Sequence, residues 1–142
     1  MSRVVNPDSI GKLRNQQMRT VAELIRYLGQ KQTIDADAKD MLAAVVLTFK
    51  EIEDGIEEAM VAWEKRNYWN KVEEFRMQWA WVGAASARLE QLLRNETWEQ
   101  LPQELMNLAK HFTDIQITRL TRGADAWQGA YAKLMQSTPP AR

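Results

Sequence analysis

The stretch AKDMLAAVVLTFKEIEDGIEEAMVAW, residues 38–63, decides the fold class. Its apolar positions Ala38, Leu42, Val45, Phe49, Ile52, Ile56, Ala59 and Trp63 alternate three and four apart. A pattern sustained at that period lies on one side of a helix and on neither face of a strand. Continued beyond Trp63, the same count lands on Arg66, Asn70 and Glu73, so the seam dies there. A new one begins at once, through Val72, Phe75, Trp79, Val82, Ser86, Leu89 and Leu93. The two registers differ by two residues, about 200° around a helix, and no straight helix turns both towards one core. A tight turn near Lys65-Arg66-Asn67 resolves the conflict. The competing arrangement is one kinked helix of about 60 residues, although no glycine or proline marks the junction.

Upstream, Asn6-Pro7-Asp8-Ser9 reads as a helix start, with Asn6 as cap, proline at the first helical position and an acid at the positive end of the dipole. The stripe Ile10, Leu13, Met18, Val21, Leu24, Ile25 and Leu28 follows, and Gly29 with the polar run Gln30–Thr33 closes it. Downstream, Thr97 and Gln100 have the spacing of a capping box, and Pro102 suits a first turn. The stripe Leu101, Leu105, Leu108, Phe112, Ile115 then changes phase to Ile117, Leu120, Ala124, Trp127, Tyr131, Leu134, which predicts a bend in the β-branched stretch. The expectation is an all-α fold, an antiparallel bundle of four long helices at about 7–31, 36–65, 68–94 and 98–136, the last bent near 113–118. One helical-bundle domain then spans residues 1–142, with a short N-terminal arm (1–5) and a loose C-terminal tail (137–142).

Composition narrows the chemistry. There is no cysteine, which removes disulfides, thiolate metal sites and cysteine nucleophiles. The single histidine, His111, rules out ferritin-like paired Glu-x-x-His sites and reads as a boundary residue. No two glycines lie closer than six residues, so no phosphate-binding glycine loop or nucleophile elbow exists. Nineteen basic residues balance nineteen acidic ones, which argues against a dedicated nucleic-acid binder. The longest apolar stretch, Met41–Phe49, is about half a membrane span and is interrupted by Thr48, so the expectation is a cytoplasmic protein with no membrane partner.

Four constellations remain. The acidic cluster Glu51, Glu53, Asp54, Glu57 and Glu58 reads as a solvated face; the alternative is a magnesium-dependent phosphohydrolase using Glu51, Asp54, Glu57 and Glu58. Lys12, Arg19 and Arg26, seven apart, share one face of the first helix. Residues 1–34 carry net +4 and residues 35–66 net −5, so those cations either complement the second helix or bind phosphate or RNA weakly. Small residues at Gly83–Ala87, Gly123-Ala124 and Gly129-Ala130 allow close helix packing, or a ligand gap in which Ser86 offers a polar contact. Finally, Met41–Phe49 is apolar nearly all round, and Leu47, Val61, Trp69 and Trp81 lie off the seams. With tryptophan as an anchor residue, these four mark an interface. The sequence therefore suggests a non-catalytic interaction or scaffold protein, without cofactor, acting through a homodimer or a protein partner.

Overall fold

The computed structural model describes residues 7–137, and among these the only regular elements are helices. The N-terminal arm, the Asn6 cap and all of the tail beyond residue 137 lie outside the described residues. Three long helices come first: α1 (Pro7–Gln30), α2 (Ala36–Lys65) and α3 (Trp69–Asn95). A 3₁₀ turn, Trp98–Gln100, leads into the short α4 (Leu101–Ala109); a second, Ala124–Ala126, precedes α5 (Ala130–Met135).

The three long helices follow the expected boundaries, for visible reasons. Asp35 caps α2, its carboxylate accepting the Ala38 amide at 2.8 Å, and Lys31 pairs with Asp35 at 2.7 Å across the connection from α1. The register change after Trp63 is a turn. The amides of Arg66 and Tyr68 both donate to the Trp63 carbonyl, and Asn67 takes the left-handed conformation at φ 62°. Asparagine tolerates that region better than most side chains, which is how the chain turns without glycine. Ile10 lies against Gly55 and Gln17 against Glu51, while Trp63 meets Phe75 and Lys39 meets Glu96. Successive long helices therefore run in opposite directions.

The fourth expected helix does not form as one element. Between α4 and α5 the chain runs irregularly from residue 110 to 129, apart from the single 3₁₀ turn. Arg19 donates to the carbonyls of Gln116 and Arg119, and Arg26 to that of Ile117, oxygens that a continuing helix would engage with its own amides. Ile115, Ile117 and Thr118 add β-branched crowding, and Gly129 sits at φ 79°. The Thr97–Gln100 pair is likewise no capping box: the two side chains meet each other at 3.4 Å and neither caps a backbone amide. The architecture is three long helices plus a mostly irregular C-terminal segment, in place of four long helices.

That segment explains the all-round apolar stretch of α2. Met41, Leu42, Ala43, Ala44, Val45 and Val46 are all buried, because α2 packs against α1, α3 and α5 together. Trp127, Ala130 and Leu134 join the same core. Each fully buried leucine or phenylalanine there stabilises by about 1.5–3 kcal/mol, so covering the third side of α2 matters to the whole fold.

Candidate interaction surface

The C-terminal segment is fastened by charged side chains, one set from each long helix. On α1, the fully buried carboxylate of Glu23 accepts the backbone amides of Thr121 and Arg122 and the Thr121 hydroxyl. Arg19 at 2.8 Å and Arg122 at 3.2 Å complete its shell, and the Tyr27 hydroxyl donates to the Arg122 carbonyl. Burial alone pushes the Glu23 carboxyl up, but the hydrogen bonds from Arg19, Arg122 and Thr121 outweigh it and hold the group down at about 2. On α2, Asp40 accepts the amides of Gly129 and Tyr131 and so caps α5. On α3, buried Glu90 holds Arg94 at 2.8 Å and Lys50 at 3.0 Å, and Arg94 donates to the carbonyls of Leu134 and Ser137. None of these carboxylates figures among the sequence-derived candidates. Their one signal is position: Glu23 and Glu90 sit beside apolar stripe residues, where a solvated acid does not belong.

The candidate residues themselves fall into separate places. Lys12 is exposed, but the guanidinium groups of Arg19 and Arg26 lie on carbonyls of the C-terminal segment. Arg19 and Arg26 both meet backbone carbonyls of residues 116–119, and Arg19 also pairs with Glu23.

Among the described residues, no three acidic or histidine side chains come together in a group that could hold a metal ion. Glu51, Glu53, Asp54, Glu57 and Glu58 are all exposed. Glu53, Asp54 and Glu57 line an open cleft of about 590 Å³ between α2 and α3 with Lys50, Arg76 and Trp79. Glu51, Asp54 and Glu58 line a second cleft of about 390 Å³ against Ile10, Leu13 and Gln17 of α1. The Glu53 carboxyl is raised, by burial first and then by Asp54 and Glu57, with Lys50 opposing. It lies where a side chain at position 83 would stand, so Gly83 gives room to a neighbouring carboxylate.

Of the four interface candidates, two are half-buried and packed against the core. The Trp81 ring stacks on His111 at 3.8 Å between centroids, nearly parallel, and meets Phe49 edge-on at 5.6 Å. His111 is lowered by burial, and further by Lys110 and Arg88. Leu47 is half-buried against the core. The neighbouring aromatics continue through Trp79 and Phe75, over which the Arg14 guanidinium sits at 5.0 and 4.9 Å. Arg14 Nε and Nη1 are buried with no hydrogen-bond partner, and aromatic faces take that place.

Val61 and Trp69 remain outside. Val61 is 46% exposed, Trp69 57%, and Tyr68, absent from the expected set, 51%. All three lie at the end of the molecule where α2 turns into α3. Around them Lys65, Arg66 and Lys71 are exposed, and none takes part in an ion pair among the described residues. The Lys71 ammonium lies 4.5 Å from the centre of the Trp63 ring. At the opposite end, Leu28, Ile34, Trp98, Leu101 and Leu105 line an apolar cleft of about 440 Å³. Among the described residues, no helix is long and apolar enough to cross a membrane. Comparison of the chain with family models, with curated proteins and with solved structures finds no match.

Proposed function

We propose that the protein works by association and not by catalysis, presenting the α2–α3 end of its helical body to a partner. A protein partner or a second copy is what the sequence suggests. The observation that carries the reading is Trp69, the first residue of α3, 57% exposed beside the equally open Tyr68. Tryptophan is highly buried on average, and an aromatic pair left in water at a helix junction is a natural anchor for association. Val61, 46% exposed in the last turns of α2, is the other exposed apolar candidate towards that end.

The test is a photo-crosslinking amino acid placed at position 69 in the full chain in cells, against the same group at exposed Gln103 on α4. Association through this end predicts specific adducts from position 69, a discrete protein band or a lipid-mass addition according to the partner, and few from position 103. Equal, diffuse labelling from both positions would falsify the reading.

A further inference from the structure

We infer that the surface met by the α2–α3 end is an anionic lipid bilayer. The inference rests on the reading of that end as a contact surface and adds the chemistry of its partner. Charge points first to an anionic partner. Lys65, Arg66 and Lys71 surround Tyr68 and Trp69 within seven residues, exposed and outside every ion pair among the described residues. The acids closest to them are half-buried Glu64 beside Lys65, Glu73, already paired with Arg76, and Glu74, whose backbone sits about 7.5 Å above Trp69 at the helical rise, so the three cations remain in excess at the turn itself. Two copies joined symmetrically through this end would bring two sets of three cations together, a repulsive arrangement.

Size and shape then separate a bilayer from a protein. A stable protein interface covers about 800 Å² on each partner and draws in some 20–30 residues. The α2–α3 end is a tight turn, set by the left-handed Asn67, with three large exposed apolar side chains in and before it. Entering a headgroup layer needs no more than that. Tryptophan and tyrosine place an apolar ring body below the headgroups and a polar edge among them, and lysine or arginine beside them meets lipid phosphate or serine carboxylate. In this pose α2 and α3 stand end-on to the surface, and the clamped C-terminal segment stays in water.

The experiment is co-sedimentation of the full chain with large vesicles of equimolar phosphatidylserine and phosphatidylcholine, with pure phosphatidylcholine vesicles in parallel. The chain is expected to pellet with the anionic vesicles and to stay in solution with the neutral ones. The double variant K65E/R66E loses two cations, each contributing about fivefold near an anionic surface, so binding should fall at least about 25-fold. Trp69→Ala should weaken it while leaving helicity unchanged, and Lys71→Glu serves if the double variant fails to fold. Lys133→Glu, on α5, should bind like the parent. Absence of binding to anionic vesicles overturns the inference, as does equal binding to both compositions or equal loss in Lys133→Glu. If Trp69→Ala instead dissolves a dimer, or abolishes binding to a single-stranded oligonucleotide, with no vesicle binding in the parent, the lipid assignment fails and the contact surface stands.

Discussion

The carboxylate of Glu23, midway along α1, accepts the backbone amide of Arg122 at 2.9 Å, ninety-nine residues further along the chain. A buried anion so far from its partners in sequence is a tertiary fastening. It engages half-buried Arg19, while exposed Arg26 fastens the same segment through the Ile117 carbonyl. Removing one member leaves the others buried and unmatched, which costs more than the pair contributes.

Glu23→Gln should therefore destabilise the fold by about 3 kcal/mol in urea unfolding, the range for breaking a buried charge pair. The loss should be local first. Amide exchange at Thr121 and Arg122 should accelerate before exchange in α2 does.

The same carboxylate sets an acid dependence. Its folded value, about 2, lies below the ordinary 4.5, so the stability it supplies is fully present above the ordinary value and is lost as pH falls through the folded one. Unfolding free energy is expected to drop steadily from pH 4.5 towards pH 2, and this slope should flatten in Glu23→Gln. An unchanged slope would assign the acid sensitivity to other groups.

Trp69 and Trp81 should part company on mutation. Trp81→Ala removes a ring stacked on His111 and edged by Phe49, at a cost of about 3 kcal/mol in chemical unfolding. Trp69→Ala should stay within about 0.5 kcal/mol of the parent, as an exposed position does.

Asp40→Ala removes the only side-chain cap described for α5. A lost cap costs about 1 kcal/mol, read here as faster exchange of the Gly129 and Tyr131 amides with the long helices unaffected.

Gly83→Ala puts a methyl group where the Glu53 carboxylate now lies, 2.5 Å from its Oε2. That oxygen ends a flexible side chain and can swing out, so the alanine should keep most of its helical advantage and stabilise by up to about 1 kcal/mol. Released from burial, the Glu53 carboxyl should titrate lower than in the parent, measurable by NMR.

The three long helices were legible because residues 38–63 and 72–93 carry apolar seams whose phases conflict, and only a turn reconciles them. The fourth was not. Ile117, Leu120, Ala124, Trp127, Tyr131 and Leu134 recur at helical spacing, yet only the last two lie in α5. A segment lying on an apolar surface presents inward residues at whatever intervals its turns allow, and side-chain donors from α1 override its local preference. The interface candidates show a related limit. Trp81 and Leu47 lie off the seams because they face other elements, Trp81 the His111–Phe112 stretch, which periodicity along one helix cannot register. Val61 and Trp69 are off the seams and exposed, and Tyr68, expected as the first residue of the third helix, is its N-cap and belongs to no helical face.

A ribosome releases this chain from its N-terminus, so α1, α2 and α3 emerge while residues 110–137 are still being made or are in the exit tunnel. Throughout that interval the Glu23 and Asp40 carboxylates have water in place of the amides they will hold, and the side of α2 that α5 covers is bare. Synthesis of residues 110–137 is thus a timed vulnerability, in which a nascent-chain chaperone would find its target on α2 and lose it once Leu134 docks.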